Sequence, residues 1–445
     1  MQMKIRFKLL VFTLFSICSL LSAQTYLLNN VAGQRHYGYS GDGGPATNAH
    51  LTNPMGVYSD NSGNIYISDW GNARLREVTP DGIIITIAGN GVYGFSGDGG
   101  PATSAELGGS MGIFVDNAGD IYLADIGNER IRKIDKNGII NTIAGNGTYG
   151  FSGDGGPAIN AAFEDPAGIC GDTSGNIFVA DEFNNKIREI TKNGNITTVA
   201  GCGVRGYSGD GGPAMLAEFY YPSGVAVDKS GNIFIADEDN NCIRKVSNGI
   251  ISTIAGNGIA GYSGDGGSAN LALLSNSAGI GVDNIGNIFI TDGFNNRIRV
   301  IDKNGIIRTI AGNGIPGYSG VGDTATIASL YNPVSIAADT SGNLFFANAF
   351  NNFIQKLSPL PEVILSASIV VYPNPTQGIF TVKIKNFTAS LRLEVYNVLG
   401  ERVSYQQLNT LETQINLTGN SKGIYLYRVL TSDNTLFASG KLALL

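Results

Sequence analysis

Internal repetition constrains this chain more than any other feature. The segment Gly-Tyr-Ser-Gly-Asp-Gly-Gly-Pro-Ala starts at Gly38 and returns, with small variations, at Gly94, Gly150, Gly206, Gly261 and Gly317, at spacings of 56, 56, 56, 55 and 56 residues. A second segment, close to Gly-Asn-Ile-Phe-Ile-Ala-Asp, keeps the same period from Gly63, Gly119, Gly175, Gly231, Gly286 and Gly342. Repeats of this length cannot bury a face alone, so the six must stack on one another. Each has room for four short strands, which in the second unit fall at 113–116, 121–125, 130–134 and 139–144. The second of these is apolar on both sides, with Ile121 and Leu123 on one face and Tyr122 and Ala124 on the other. A strand with one wet face would alternate, so this one is expected between two packed layers. Four-stranded sheets packed face to face around an axis satisfy that, and the expected fold is an all-β, six-bladed β-propeller.

The ends of the array support a closed ring. Residues 25–33 read as a fourth strand with no first three before it, and the sixth unit has strands near 336–338, 343–347 and 353–357 with no fourth after them. The N-terminal strand is expected to complete the last blade, leaving no open edge.

Asp125-Ile126-Gly127-Asn128-Glu129-Arg130-Ile131 and Asp292-Gly293-Phe294-Asn295-Asn296-Arg297-Ile298 resemble the NHL repeat. The resemblance covers residues 25–357 and is closest to the bacterial extracellular subtype in which Gly-Tyr-Ser-Gly-Asp-Gly-Gly lengthens the link between blades. It implies the propeller of residues 24–357, but that fold hosts enzymes, RNA binders and adhesive modules. Unit six departs from the pattern, with Asn348 for the aspartate, Phe353 and Gln355 for basic residues, and Gly320-Val321-Gly322-Asp323 in the link.

Residues 358–368 read as a linker, with Pro359 and Pro361 opposing helix. Beyond it, Tyr372, Pro373, Asn374 and Pro375, then Gly423, Ile424 and Tyr425, and Lys441, resemble the type A sorting domain of the type IX secretion system over residues 369–445. That resemblance implies a small β-sandwich, handling by the type IX machinery, and a secreted or outer-surface location in a Gram-negative Bacteroidota bacterium. Alternation of Phe380, Val382 and Ile384, and of Leu391, Leu393 and Val395, indicates strands independently. At the other end, Lys4, Arg6 and Lys8 precede an apolar run over 9–21 and then Ser22-Ala23. This reads as a signal peptide over residues 1–23, its run too short to span a bilayer, so no integral span is expected once it is removed.

Charge bears on partners. Residues 24–358 hold 19 basic against 31 acidic side chains, a net of −12, which argues against general nucleic-acid binding. Cysteines 170, 202 and 242 make no disulfide framework or Cys-x-x-Cys metal motif. Cys202 and Cys242 fall on one face of a meander, which leaves open an inter-blade disulfide between them.

Several residue sets invite a chemical reading. Asp42, Asp98, Asp154, Asp210 and Asp265 in the links are turn caps, with calcium ligation as the alternative and no cofactor otherwise expected. Asp69, Asp125, Asp181, Asp237 and Asp292 end the second strand, with Arg74, Arg130, Lys186 and Arg297 five residues after four of them. An active site needs one asymmetric constellation, so a pairing repeated around a ring reads as structural. Amidating lyases of the NHL family use histidine-bound zinc, whereas this chain has only His36 and His50. The expectation is therefore a scaffold that recognises a protein or glycan partner, the alternative being a hydrolase or lyase with an axial, metal-assisted site. The first-strand residues Tyr58, Phe114, Cys170, Ala226, Gly281 and Ala337 are expected near the axis. The face carrying the long links is the expected binding surface, and Tyr39, Phe95, Phe151, Tyr207, Tyr262 and Tyr318 are either its anchors or packed beneath their own loops.

Overall fold

The computed structural model describes residues 24–360, 369–384, 391–408, 410–431 and 436–445. The signal segment and residues 361–368 of the linker lie outside the described residues. Two compact units are present, one of them running from Ala23 to Leu360.

In that unit there are six antiparallel sheets, five of which follow chain order from the axis outward, as in Pro54–Ser59, Ile65–Asp69, Arg74–Val78 and Ile83–Ala88 of the first blade. Gly44–Pro45 and Gly100–Pro101 add a short fifth strand to blades one and two, where the long link runs along the outer edge. The second strand of every blade is buried almost throughout, as a layer between two neighbours must be. Hydrophobic clusters accordingly lie between blades, such as the one joining Leu344, Phe346 and Leu357 of blade six to Phe289 and Ile298 of blade five. Each such side chain contributes roughly 1.5–3 kcal/mol on burial.

The ring closes as the unit count requires. Tyr26–Gly33 pairs antiparallel with Phe353–Pro359, from Tyr26 opposite Pro359 to Gly33 opposite Phe353. The last strand thus runs two residues past 357, because the N-terminal strand offers it partners there, and the Leu360 N–H donates to the Thr25 carbonyl at 2.8 Å.

In blade two, three strands have the expected bounds, but the first runs Ser110–Val115 and so begins three residues early. Its opening residues carry no strand signal because the position nearest the axis needs glycine. A Cβ on Gly56 would collide with the Met111 carbonyl, and Gly112, Gly168, Gly224 and Gly279 face the same clash with the next blade. Blade six has Ser335 there, whose Oγ accepts the Val57 N–H at 3.2 Å across the closure.

The C-terminal unit has two sheets. One contains Ile369–Tyr372, Ile379–Ile384 and Glu412–Asn416, and the other Arg402–Leu408, Leu391–Tyr396, Gly423–Thr431 and Leu436–Leu444. Phe380, Val382 and Ile384 from the first meet Leu391, Leu393 and Val395 from the second in one core. Among the described residues, no helix is long and apolar enough to cross a membrane.

Candidate functional site

Each of the first five blades carries one polar ladder. In blade one, Asp69 ends the second strand, fully buried, and accepts the Thr52 N–H at 2.8 Å and Asn72 Nδ2 at 2.8 Å. Asn72 also donates to the Gly38 carbonyl at 2.7 Å, tying the hairpin to the long link, so both loop sets gather on one face. The fully buried Arg76 bridges outward, with Nη1 3.4 Å from Asp69 and Nη2 2.6 Å from Asp42. Tyr39 completes the ladder, its hydroxyl donating to Asp42 at 2.8 Å and its ring lying 3.8 Å from the Arg74 guanidinium carbon and 4.9 Å from that of Arg76.

The expected acid–base pairing is thus corrected. The partner of each strand-end aspartate is the arginine seven residues on, namely Arg76, Arg132, Arg188, Arg244 or Arg299, and not the one five residues on. Arg74 lies opposite Asp69 in register but turns outward to the Asn72 and Asn90 carbonyls. Burial pushes Asp69, Asp181, Asp237 and Asp292 up to about 6, against their hydrogen bonds and the guanidinium charge. At Asp42 partial burial is outweighed by hydrogen bonds from Thr86 and Tyr39 and by Arg76, which hold the carboxyl below its ordinary range.

The link aspartates are engaged by protein donors, with Arg132, Arg188, Arg244 and Arg299 on Asp98, Asp154, Asp210 and Asp265 at 2.7–2.9 Å. Among the described residues, no group of three or more His, Cys, Asp or Glu side chains is placed to hold a metal. The rings of Phe95, Phe151, Tyr207 and Tyr262 repeat the stacking of Tyr39 on their own arginines and keep an exposed rim. Blade six replaces the whole ladder with neutral groups. Asn348 donates to Gln355 at 2.8 Å, Gln355 to Asn30 at 3.0 Å, and Asn30 to the Tyr318 hydroxyl at 2.6 Å. Tyr318 stacks on Phe353 at 4.4 Å where the other blades stack on a cation.

Along the axis the first strands enclose a cavity of about 260 Å³. Tyr58, Phe114, Cys170, Ala226, Gly281 and Ala337 all line it, and Tyr58 meets Phe114 edge to face at 5.7 Å. Its polar side chains are Tyr58, Cys170, Ser223 and Ser335, with no carboxylate, amide or imidazole among them. Cys170, Cys202 and Cys242 are free thiols. No Cys202–Cys242 bridge forms, because Cys242 is buried with Sγ turned 3.9 Å from Asp237 while Cys202 is exposed.

Between the ladders and the axis the same face holds positions at which the copies differ, and sequence reasoning missed them. The residue after each strand-end aspartate is Trp70, Ile126, Glu182, Glu238 or Gly293, with Ala349 in blade six. Blades three and four bring carboxylates here, Glu182 and Glu238, and blade two has Glu129 three residues on, whereas blades five, six and one bring rings and no charge: Phe294, the Tyr331–Phe350 pair at 5.0 Å and the Trp70–Tyr93 pair at 6.3 Å. The available signal was departure from the repeat, not adherence to it.

In the C-terminal unit the structure gathers motif residues that the sequence separates. Asn374, between Pro373 and Pro375, donates to the Lys441 carbonyl at 2.7 Å and accepts the Ala443 N–H at 3.0 Å. Tyr425 is buried with its hydroxyl on the Ser421 carbonyl at 2.6 Å, while Tyr372 and Ile424 are exposed and Gly423 begins the strand.

Six four-stranded blades closed by the N-terminal strand, with repeats in register, define an NHL-repeat β-propeller, here followed by a sorting domain. Residues 370–441 match the secretion system C-terminal sorting domain, 219–246 the NHL repeat, and 93–152 with 259–316 the teneurin NHL domain. Teneurin-1 of Mus musculus is 32% identical over 234 residues, which is 47% of this chain and 8% of the relative. Teneurin-4 of the same species is 29% identical over 318 residues, 62% of this chain and 11% of the relative. The chain therefore spans only about a tenth of these relatives' length. Among solved structures, a Bacteroides thetaiotaomicron protein of unknown function has a TM-score of 0.55 at 19% identity, covering 76% of each chain. An auxiliary nutrient binding protein from the same organism also scores 0.55, at 12% identity over 76% of this chain and 77% of its own. At such identities the likeness is one of fold alone.

Proposed function

We propose that this protein is a binding scaffold, exported by the type IX secretion system of a Gram-negative Bacteroidota bacterium to the cell surface or medium, where the link-bearing face of the propeller recognises a protein or glycan. The observation that carries this reading is a division of labour among the six copies. Residues common to the blades are spent on the ladders, while the positions beside the strand-end aspartates, which change from blade to blade, lie on the link-bearing face, where recognition needs asymmetry. The axial cavity is lined by small and apolar side chains, which suits a packed hub better than acid–base chemistry. Around the outer part of the face stand the exposed rims of Tyr39, Phe95, Phe151, Tyr207 and Tyr262, with Tyr318 half-buried in the sixth blade, and nearer the axis the divergent rings and carboxylates. Probing glycan and protein arrays with the full chain tests the reading. Capture of a partner, lost on substitution at this face and kept on substitution of the opposite turns, is the expected result. Turnover of a lactone or glycan substrate that Cys170→Ala or Tyr58→Phe abolishes would replace it with the axial enzyme.

A further inference from the structure

The inner part of the binding face is divided by charge. Blades two to four place Glu129, Glu164, Asp165, Glu182, Glu238 and Asp239 at its divergent positions, whereas the equivalent positions of blades five, six and one hold no charged residue. Contacts make these six a continuous strip. Tyr149 donates to Asp165 at 3.1 Å, Glu129 caps the Asp165 N–H at 2.8 Å, and the Glu182 and Phe183 N–H groups donate to the Asp165 and Glu164 carbonyls. The ring of Phe183 reaches Tyr221 of the next blade at 4.5 Å, and there the Glu238 and Asp239 N–H groups donate to the Tyr221 and Tyr220 carbonyls.

None of the six carboxylates forms an ion pair among the described residues, whereas every link aspartate of blades one to five does. The one cation set among them, Arg205, is stacked on Tyr220 and Tyr221 at 4.8 and 4.4 Å. Glu129 is the sharpest case. Other blades cap the neighbouring N–H from this position with an asparagine, as Asn185, Asn241, Asn296 and Asn352 do. Glu129 does so with Oε2 and leaves Oε1 without a partner, though the residue is only 3% exposed. Burial and like charges push Glu129 up to about 7 and Glu182 up to about 8. Only Asp239 feels a nearby cation, Arg205, and crowded carboxylates that lack ion-pair partners cost stability, so they cluster at functional surfaces more than elsewhere.

We infer that this acidic strip docks a cationic segment of a protein partner, one presenting several arginine or lysine side chains across blades two to four; the inference rests on the scaffold reading above. The carboxylates are strung along three blades and do not converge on one point, which suits an extended polycation better than a single metal ion. Exposed rings of Tyr149 and Phe183 stand among them, where a guanidinium or ammonium gains a cation–π contact as well as a carboxylate. A neutral glycan would leave the like-charge repulsion in place, and a nucleic acid would add to it.

The test titrates the full chain with a labelled peptide of alternating arginine and glycine, the same peptide with glutamate for arginine, and neutral hexasaccharides. Binding of the arginine peptide alone, weakened by salt and cut at least about tenfold by combined Glu129→Gln, Glu182→Gln and Glu238→Gln with an unchanged or higher melting temperature, is expected. Asp81→Asn, in an exposed turn of the opposite face, should leave it unaltered. No arginine-peptide binding, or equal binding by the triple variant, overturns the inference. Hexasaccharide binding abolished by Phe183→Ala, without peptide binding, overturns it too but leaves the scaffold reading standing.

Discussion

Arg132 sits between the buried carboxylate of Asp125 and the partly exposed one of Asp98, so its removal does more than delete an ion pair. Arg132→Gln leaves a buried charge uncompensated and is expected to cost about 3–5 kcal/mol. Blade six indicates how that loss can be recovered, because Val321, Asn348 and Gln355 stand where blade two has Asp98, Asp125 and Arg132. The combined change D98V/D125N/R132Q should therefore melt well above R132Q alone; chemical denaturation measures both, and a triple variant as unstable as the single one would refute the account. Glu129 supplies a test by pH. Its carboxyl lies near 7 in the fold and near 4.3 in an unfolded chain, so the fold binds the extra proton. The resulting stability is full below the unfolded value and is lost as pH rises through the folded one. Glu129→Gln should stabilise the protein at about pH 8 by roughly 1 kcal/mol, after allowance for screening, and have little effect near pH 4. Thermal melts at both pH values check the sign.

Closure depends on one element. The strand Tyr26–Gly33 supplies the outer edge of blade six and pairs along the whole of Phe353–Pro359. Without it, the third strand of that blade would present unpaired N–H and C=O groups together with the apolar sides of Leu344, Phe346 and Leu357. Removal of residues 24–33 is expected to lower the melting temperature by at least about 10 °C and to produce aggregates on size-exclusion chromatography. A monodisperse monomer with an unaltered melt would contradict this role. The link aromatics belong to this scale as well, because in blades one to five each lies over a basic side chain of its own blade. Tyr262→Ala removes a hydroxyl from Asp265 and a ring from Arg297 and Arg299, and about 1–2 kcal/mol is the expected loss by denaturant titration.

The propeller contains its own closure, and a chain ending at Leu360 keeps every strand of its compact unit. Such a chain is expected to fold and to melt as the propeller does in the full protein. Expressed with its signal in a host that has the type IX system, it should remain in the periplasm while the full chain reaches the surface. Protease accessibility on whole cells distinguishes the two, and surface delivery of the shortened chain would refute the export role of the C-terminal unit.

Period, blade number and closure were legible in the sequence, since a repeat in register fixes how many equal units must share one core and an unmatched strand at each end must find the other. The same regularity concealed the pairing within a blade. Spacing put Arg74 opposite Asp69, and the register agrees. Only packing decided that Arg76, enclosed and unable to reach water, takes the buried carboxylate while Arg74 turns to open carbonyls. The acidic strip was hidden for a related reason. Glu129, Asp165, Glu182 and Glu238 lie in three different units, and each stands at a position where the copies differ. Ring closure and the hairpin geometry bring them to one face, and the energy of like charges held together there is a property of distance in space, which no linear spacing encodes.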